Sequence, residues 1–151
     1  MKKGFTMIEL IFVIVILGIL AAVAIPRLAA TRTDAAVSAA AADISTLYTD
    51  LGSFYTAQGQ FADSNGTMNM TQASVRTMTN VANAYQTATN TIVFTTDANV
   101  TCLTLTLTTD GNVTTAVSAN PGTVCNEVRA LPAVAALVSS TQTFGGRRIQ
   151  R

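Results

Sequence analysis

The sequence predicts an α+β fold, in which a long N-terminal hydrophobic helix packs through its outer half on a small antiparallel β-sheet. Three observations predict it: an unbroken apolar run from Phe5 to Ile25, apolar residues at helical spacing after that run, and a distal half where leucines and threonines alternate. At 151 residues the chain has the length of one domain.

The apolar run is long enough to cross a membrane. Its 21 residues form a helix of about 32 Å, and a bilayer core is about 30 Å thick. Lys2 and Lys3 precede the run, so the positive-inside rule places the N-terminus in the cytoplasm and everything after Pro26 outside. The alternative is a cleaved secretory signal with "LAAVA" as its cleavage site. Such signals have an apolar run of only about 7–15 residues, which is shorter than this one.

Glu9 is the one formal charge in this run. An acid near the bilayer interior costs on the order of 2.5–3.5 kcal/mol on insertion scales, so it indicates a function and requires a partner. A plain membrane anchor explains the length of the run and leaves Glu9 unexplained.

The stretch "KKGFTMIEL" resembles the class III signal of type IV prepilins and pseudopilins, a short basic leader ending in Gly, followed by Phe, Thr, two apolar residues, Glu and Leu. Gly4, Phe5, Thr6 and Glu9 match this pattern position by position. The resemblance covers some 22 residues. It implies that prepilin peptidase cuts between Gly4 and Phe5, that Phe5 is then N-methylated, and that residues 1–4 are a leader peptide.

Cutting creates an ammonium group at Phe5, four residues before Glu9. The resemblance implies that Glu9 pairs with the terminal amine of a neighbouring subunit, which sets axial register because an unpaired buried charge is costly. The implied partners are identical or related pilin subunits, prepilin peptidase, an inner-membrane assembly platform and the lipid bilayer. The implied location is the inner membrane, single-pass, with a periplasmic head, and then a periplasmic or extracellular filament.

Pro26 closes the predicted membrane or filament-core segment, 5–26. It is expected to end or kink the helix, because proline removes a donor and clashes one turn back. Its position resembles that of the family, where this part of the helix loses regularity on assembly.

The helix is expected to resume as its outer half, 27–59, with Gly52 as a candidate break. One helical face is apolar at spacings of three, four and three, formed by Ile44, Leu47, Leu51 and Phe54. This stripe predicts packing on a sheet, with a surface coiled coil as the alternative.

The remainder, 60–151, is predicted to be the sheet-containing head with a C-terminal tail. A turn-rich loop at 60–70 precedes a short helix from about Thr71 to Thr79, with Thr71 as its cap. Three β-rich segments follow, "TIVFTT", "VTCLTLTLTT" and "NVTTAVSA". "NEVRALPAVAALVSS" predicts a short helix broken at Pro132, and "GGRRIQR" is either a disordered tail or a contact for phosphate, lipid or DNA.

The turn signal "TDGN" at 109–112 predicts a hairpin, with two registers open. A two-residue loop, Asp110-Gly111, sets the leucines of 103–107 against Thr114 and Ala116. A three-residue loop that includes Asn112 puts Val113, Thr115 and Val117 on the leucine face. Apolar matching favours the three-residue loop.

Two cysteines, Cys102 and Cys125, follow the membrane segment and predict one disulfide in an oxidising compartment, with two buried free thiols as the alternative. Such a bridge would pin the segment after the third strand to the far side of the sheet. The arrangement resembles that of type IV pilins, where a disulfide commonly closes the C-terminal region.

The composition argues against an enzyme. The chain has no His, which excludes a Ser–His pair, a Cys–His pair and an imidazole metal ligand. We therefore predict no catalytic residue, metal or cofactor. A net charge of +1 gives no bulk electrostatic case for nucleic acid, and whether the chain contacts nucleic acid stays open. Major pseudopilins of type II secretion carry a C-terminal calcium loop and a Trp motif, whereas this chain has no Trp and only Glu127 among acids after Asp110.

Three stretches match Asp-x-Asn-x-Thr, "DSNGT", "DANVT" and "DGNVT". The pattern resembles the acceptor sequence of a bacterial N-glycosylation system and makes Asn65, Asn99 and Asn112 candidate sites. The alternative is a composition effect, since turns are rich in Asp, Asn and Gly and this chain is rich in Thr.

The sequence as a whole predicts a structural subunit of a type IV pilus-like filament, processed by prepilin peptidase and polymerised through its N-terminal helix. A pseudopilin of a type II secretion or competence system is the alternative within the class. A membrane-anchored periplasmic binding module that never polymerises is the alternative from another class.

Overall fold

The computed structural model of the chain describes residues 4–61, 70–96 and 100–145. The elements are α1 (Met7–Gln58), α2 (Gln72–Met78), β1 (Ala84–Ala88), β2 (Thr91–Thr95), β3 (Thr101–Leu107), β4 (Asn112–Val117), α3 (Gly122–Ala130), α4 (Pro132–Ser139) and β5 (Gln142–Thr143). The predicted α+β class is confirmed. The chain divides into two compact units, an N-terminal unit that ends at Ala36 and a head unit that begins at Val37.

Helix α1 continues through both residues at which the sequence predicted an interruption. The sequence predicts that Pro26 ends or kinks the helix, and because it lies inside α1, the first of these alternatives is wrong; the helix loses the hydrogen bond of the missing N–H and continues on either side. Gly52 is helical as well. The helix ends before Gly59, whose N–H donates to the Tyr55 carbonyl at 2.7 Å and whose φ is +74°, a left-handed cap that favours glycine.

The outer half of α1 packs on the sheet through the predicted face. Ile44, Leu47 and Leu51 are fully buried, and Phe54, near the helix end, is half-buried. Tyr48 is also buried, and its hydroxyl shares a hydrogen bond with the hydroxyl of Thr115 on β4. Burial raises the pKa of Tyr48, and the Thr115 hydrogen bond opposes that shift. The predicted packing of helix on sheet, rather than a surface coiled coil, is therefore confirmed.

The sheet is antiparallel, with strand order β1-β2-β3-β4-β5, and so within the described residues it has two strands more than the three predicted. The outer edge of β1 is covered by one side chain, because Gln72 Oε1 accepts from the Gln86 N–H at 2.7 Å and Gln72 Nε2 donates to the Ala84 carbonyl at 3.5 Å. β5 has only two residues and β1 has few β-branched ones, so the pairing of both strands depends on tertiary contacts that no local pattern indicates.

The hairpin between β3 and β4 places Val113, Thr115 and Val117 on the leucine face, as apolar matching favoured. Leu107 is opposite Val113, Leu105 opposite Thr115 and Leu103 opposite Val117, so all six side chains share one face. The loop itself differs from the prediction. The Thr108 N–H donates to the Asn112 carbonyl at 2.9 Å, so the three loop residues are 109–111 and Asn112 is the first residue of β4. Gly111, at φ +82°, supplies the left-handed residue that this loop requires.

The predicted short helices are present, although α3 begins at Gly122, before the predicted stretch that starts at Asn126. Thr71 caps α2, its hydroxyl accepting from the Ser74 N–H at 3.2 Å while the Ser74 hydroxyl accepts from the Thr71 N–H at 3.3 Å. Pro132 separates α3 from α4 and stands at the first position of α4, where its missing N–H costs nothing. The predicted loop at 60–70 lies mostly outside the described residues, as does the basic end after Gly145.

An aromatic cluster joins the end of α1 to the C-terminal strand. The rings of Tyr55 and Phe61 are 5.1 Å apart, those of Phe61 and Phe144 are 6.4 Å apart, and Phe61 is fully buried. The Phe144 N–H donates to the Gly111 carbonyl at 2.9 Å. The β3–β4 turn, the end of α1 and the β5 region therefore meet in one place.

We expect Gly111→Ala to destabilise the head unit by well over about 2 kcal/mol, because a Cβ at Gly111 would stand 2.5 Å from the Tyr55 ring at a positive φ. Gly59→Ala is the matched control, since Gly59 has a similar φ of +74° and open space around a Cβ, so only the conformational cost of about 1 kcal/mol remains. Urea unfolding of the two variants measures the difference. Equal losses of stability would contradict the close approach of Tyr55 to the turn.

Candidate functional site

The N-terminal unit has an apolar surface with no protein covering it. Every residue from Gly4 to Arg32 is exposed, and the exposed side chains include all the large apolar ones from Phe5 to Leu28. Leaving such a surface in water costs on the order of tens of kcal/mol, so the segment requires lipid or other protein around it. Within the described residues, α1 is the one helix that is long and apolar enough to cross a bilayer.

Glu9 has a defined position at the start of α1. Its Oε2 accepts from the Thr6 N–H at 2.9 Å and from the Thr6 hydroxyl at 2.6 Å. The Glu9 N–H in turn points to the Thr6 hydroxyl oxygen at 3.4 Å. Thr6 is thus the N-cap and Glu9 the third helical residue, which is the reciprocal arrangement of a capping box. The Thr-x-x-Glu spacing of "TMIE" was the signal for this cap, and the sequence analysis did not use it.

The cap does not use the whole carboxylate. Among the described residues, no hydrogen bond reaches Oε1 of Glu9, and a carboxylate can accept several. The N-terminal end of a helix also favours a negative charge. Glu9 can therefore cap its own helix through Oε2 and still accept a cationic donor at Oε1.

Gly4 and Phe5 lie before the helix, in an exposed segment without regular structure. A Cβ at Gly4 would meet nothing within 4 Å, so packing does not explain a glycine there. The bond between the two residues is accessible, as a peptidase requires. Pro26, the third residue of the predicted assembly set, is exposed on α1 in the same unit.

The head unit contains the disulfide. Cys102 on β3 and Cys125 on α3 are bonded, with their Cα atoms 5.6 Å apart and both side chains fully buried. Cys102 lies on the face of β3 opposite the leucines, so the bond holds α3 against the side of the sheet that α1 does not cover. Arg129 adds a contact, donating from Nη1 to the Ser118 carbonyl at 3.5 Å.

Of the three candidate glycosylation residues, the structure describes one. Asn112 is half-buried at the start of β4, two residues after the exposed turn residue Asp110. Asn65 and Asn99 lie outside the described residues.

The described parts of the head offer little for catalysis. In those parts, no group of three or more His, Cys, Asp or Glu side chains could hold a metal ion. An open groove lies between α3 and α4, lined by Asn126, Arg129, Ala130, Ala135, Val138 and Ser139. It contains no carboxylate, thiol or imidazole, so it holds neither a general base nor a strong nucleophile.

Residues 1–25 match the family model of the prokaryotic N-terminal methylation motif, the class III signal of type IV pilins and pseudopilins. The prediction drawn from "KKGFTMIEL" is thereby confirmed, and the long helix followed by a small antiparallel sheet is consistent with a pilin-like fold. Neither a curated protein nor a solved structure matches the chain. The match thus supports a pilin- or pseudopilin-like protein and a membrane-anchored precursor, and leaves the finer role open.

Proposed function

We propose that this chain is a structural subunit of a type IV pilus-like filament. Prepilin peptidase removes residues 1–4, the helix from 5 to 26 forms the filament core, and the outer helix, 27–59, carries the head, 60–151. Before assembly the chain is a single-pass inner-membrane protein with its head in the periplasm. It then joins identical or related subunits at an inner-membrane assembly platform.

The observation that carries this proposal is the setting of Glu9 on the apolar helix. Glu9 follows a matched processing signal on an uncovered apolar helix, it is exposed, and its Oε1 accepts no hydrogen bond from the described residues. An acid in that setting fits the amine of a neighbouring Phe5 better than it fits lipid, because a charge in the bilayer needs a partner. The head needs no active site for such a function.

Pseudopilins have the same processing signal as pilus subunits, so the distinction between the two must come from the sequence of the head. The chain has no Trp, and Glu127 is the one acid after Asp110, whereas major pseudopilins carry a Trp motif and an acidic calcium loop. This difference favours the pilus subunit over the pseudopilin.

Filaments sheared from the native cells should contain this chain beginning at N-methyl-Phe5, as read by intact mass and N-terminal sequencing. Gly4→Leu should leave the uncut precursor in the inner membrane and yield no filaments, since the peptidase requires the small residue before its cut. Gly18→Ala is the control, because a Cβ there also meets nothing within 4 Å. A processed wild-type chain that stays a membrane-bound monomer would contradict the proposal and favour the binding module.

A further inference from the structure

The Asp-x-Asn-x-Thr pattern occurs more often in this chain than random placement of its residues would give. It surrounds three of the nine asparagines, although the chain has only six aspartates in 151 residues. Random placement of these residues gives on the order of 0.1 such matches. Half of the aspartates therefore stand two residues before an asparagine that has a threonine two residues after it.

The match at 110–114 has the geometry of an accessible acceptor. Asp110 and Thr114 are exposed, and Asn112 is half-buried between them in sequence. Because side chains alternate along a strand, Asn112 and Thr114 point to one face of β4, while Val113 points to the other and is fully buried. Val113 thus anchors the strand in the leucine core, and the acceptor side chains lie on the opposite face, the side that carries α3, where Thr114 is exposed and Asn112 half-buried.

The surroundings of Asn112 leave room for a large substituent. Its neighbour across the sheet edge is Thr143 of β5, which is exposed. On the other side, the paired residue Thr108 is half-buried and polar. A saccharide on the Asn112 carboxamide would extend over this polar surface and displace no core side chain.

We propose that Asn112 is N-glycosylated on the periplasmic side of the membrane. The co-substrate is an oligosaccharide linked to a lipid diphosphate. Asn112 Nδ2 forms a bond to the anomeric carbon, the bond from that carbon to the diphosphate oxygen breaks, and the lipid diphosphate leaves with the electron pair. The proton lost from Nδ2 passes to a base of the transferase, and no redox step occurs.

Two hydrogen bonds of the folded hairpin compete with the transferase. In the folded hairpin the Asn112 N–H donates to the Thr108 hydroxyl at 3.1 Å, and the Thr114 hydroxyl donates to the Thr106 carbonyl at 3.3 Å. A transferase that reads the threonine hydroxyl must compete with that bond. Modification before the hairpin closes avoids that competition.

Peptide mapping of the chain from native cells tests the proposal, in filaments or in the membrane, so the result does not depend on assembly. We expect a saccharide on the wild-type peptide at Asn112 and complete loss of it in Asn112→Gln and in Thr114→Val. Thr114→Ser should keep it, since the hydroxyl remains. Asn120→Gln is the control, because exposed Asn120 has Ser118 before it and Pro121 after it.

Three results would overturn the assignment. The first is an unmodified Asn112 peptide in the wild type, and the second is a saccharide that persists in Thr114→Val. The third is modification at Asn65 or Asn99 with Asn112 bare. Each result is read from the mass of a peptide, so a variant that folds poorly still gives an answer.

Discussion

Glu9→Gln is expected to abolish filaments while leaving the processed chain in the membrane. Glutamine keeps an oxygen that can accept from the Thr6 N–H, as Glu9 Oε2 does at 2.9 Å, so the helix keeps its cap. The variant removes only the negative charge, and a buried ammonium at Phe5 then has no counter-ion. Losing one member of a buried ion pair costs about 3–5 kcal/mol, which corresponds to a drop of about a hundredfold or more in the affinity of each added subunit.

Thr6→Val is the matched control for this variant. It removes the hydroxyl that donates to Glu9 Oε2 at 2.6 Å and leaves both the Glu9 charge and the Thr6 N–H. Loss of a capping side chain costs about 1 kcal/mol, so filament yield should fall no more than a few-fold. Sheared-filament yield is measured beside the amount of mature chain in the inner membrane.

The pair of variants separates two roles for the acid. If Glu9→Gln assembles as well as the wild type and Thr6→Val does not, the acid acts as a helix cap and the intersubunit pair is wrong. If both variants disappear from the membrane, the start of the helix is needed for insertion, and the expectation that the processed Glu9→Gln chain stays in the membrane is wrong.

Removing the Cys102–Cys125 bond is expected to lower the free energy of unfolding of the head by about 3 kcal/mol in the loop-entropy account. The bond spans a sequence separation of 23 residues, and that closed loop restricts the unfolded chain. It also attaches α3 to β3, where the other buried residues of α3 are Val124 and Val128. The double variant Cys102→Ala, Cys125→Ala avoids leaving a lone thiol.

Thermal unfolding of the detergent-solubilised mature chain measures this loss, and we expect the midpoint to fall by roughly 10 °C. Reducing agent should lower the wild-type midpoint by a similar amount and leave the double variant unchanged. An unchanged midpoint in the double variant would show that the packing of α3, rather than the bond, holds that side of the head.

The predictions that succeeded rest on local and periodic signals. The stripe of Ile44, Leu47 and Leu51 and the alternation of Leu103, Leu105 and Leu107 each record which side of an element is buried, and both are confirmed. Thr71 as a helix cap is equally local, since its partner Ser74 is three residues away. The processing signal is the strongest case, because a peptidase reads it from a short linear stretch.

The features that the sequence did not predict correctly are the edge strands of the sheet, the bounds of the hairpin loop and the local hydrogen-bond partner of Glu9. β1 has few β-branched residues, and it is a strand because β2 pairs with one side of it while Gln72 covers the other. The hairpin loop is 109–111 rather than 110–112, since the bond from the Thr108 N–H to Asn112 closes it one residue earlier. The capping role of Glu9 was missed because its chain position suggested an intersubunit partner first.

The sequence by itself determined the α+β class, the apolar anchor, the processing signal and the face of each main element. Each of these depends on residues that are close together in the chain. Only the tertiary structure decided that Tyr55, Phe61 and Phe144 gather beside Gly111, and that Gln72 covers the outer edge of β1. The physical reason is that these outcomes depend on which groups satisfy one another across the fold, and hydrogen bonds and close contacts between distant residues leave no periodic trace in the chain.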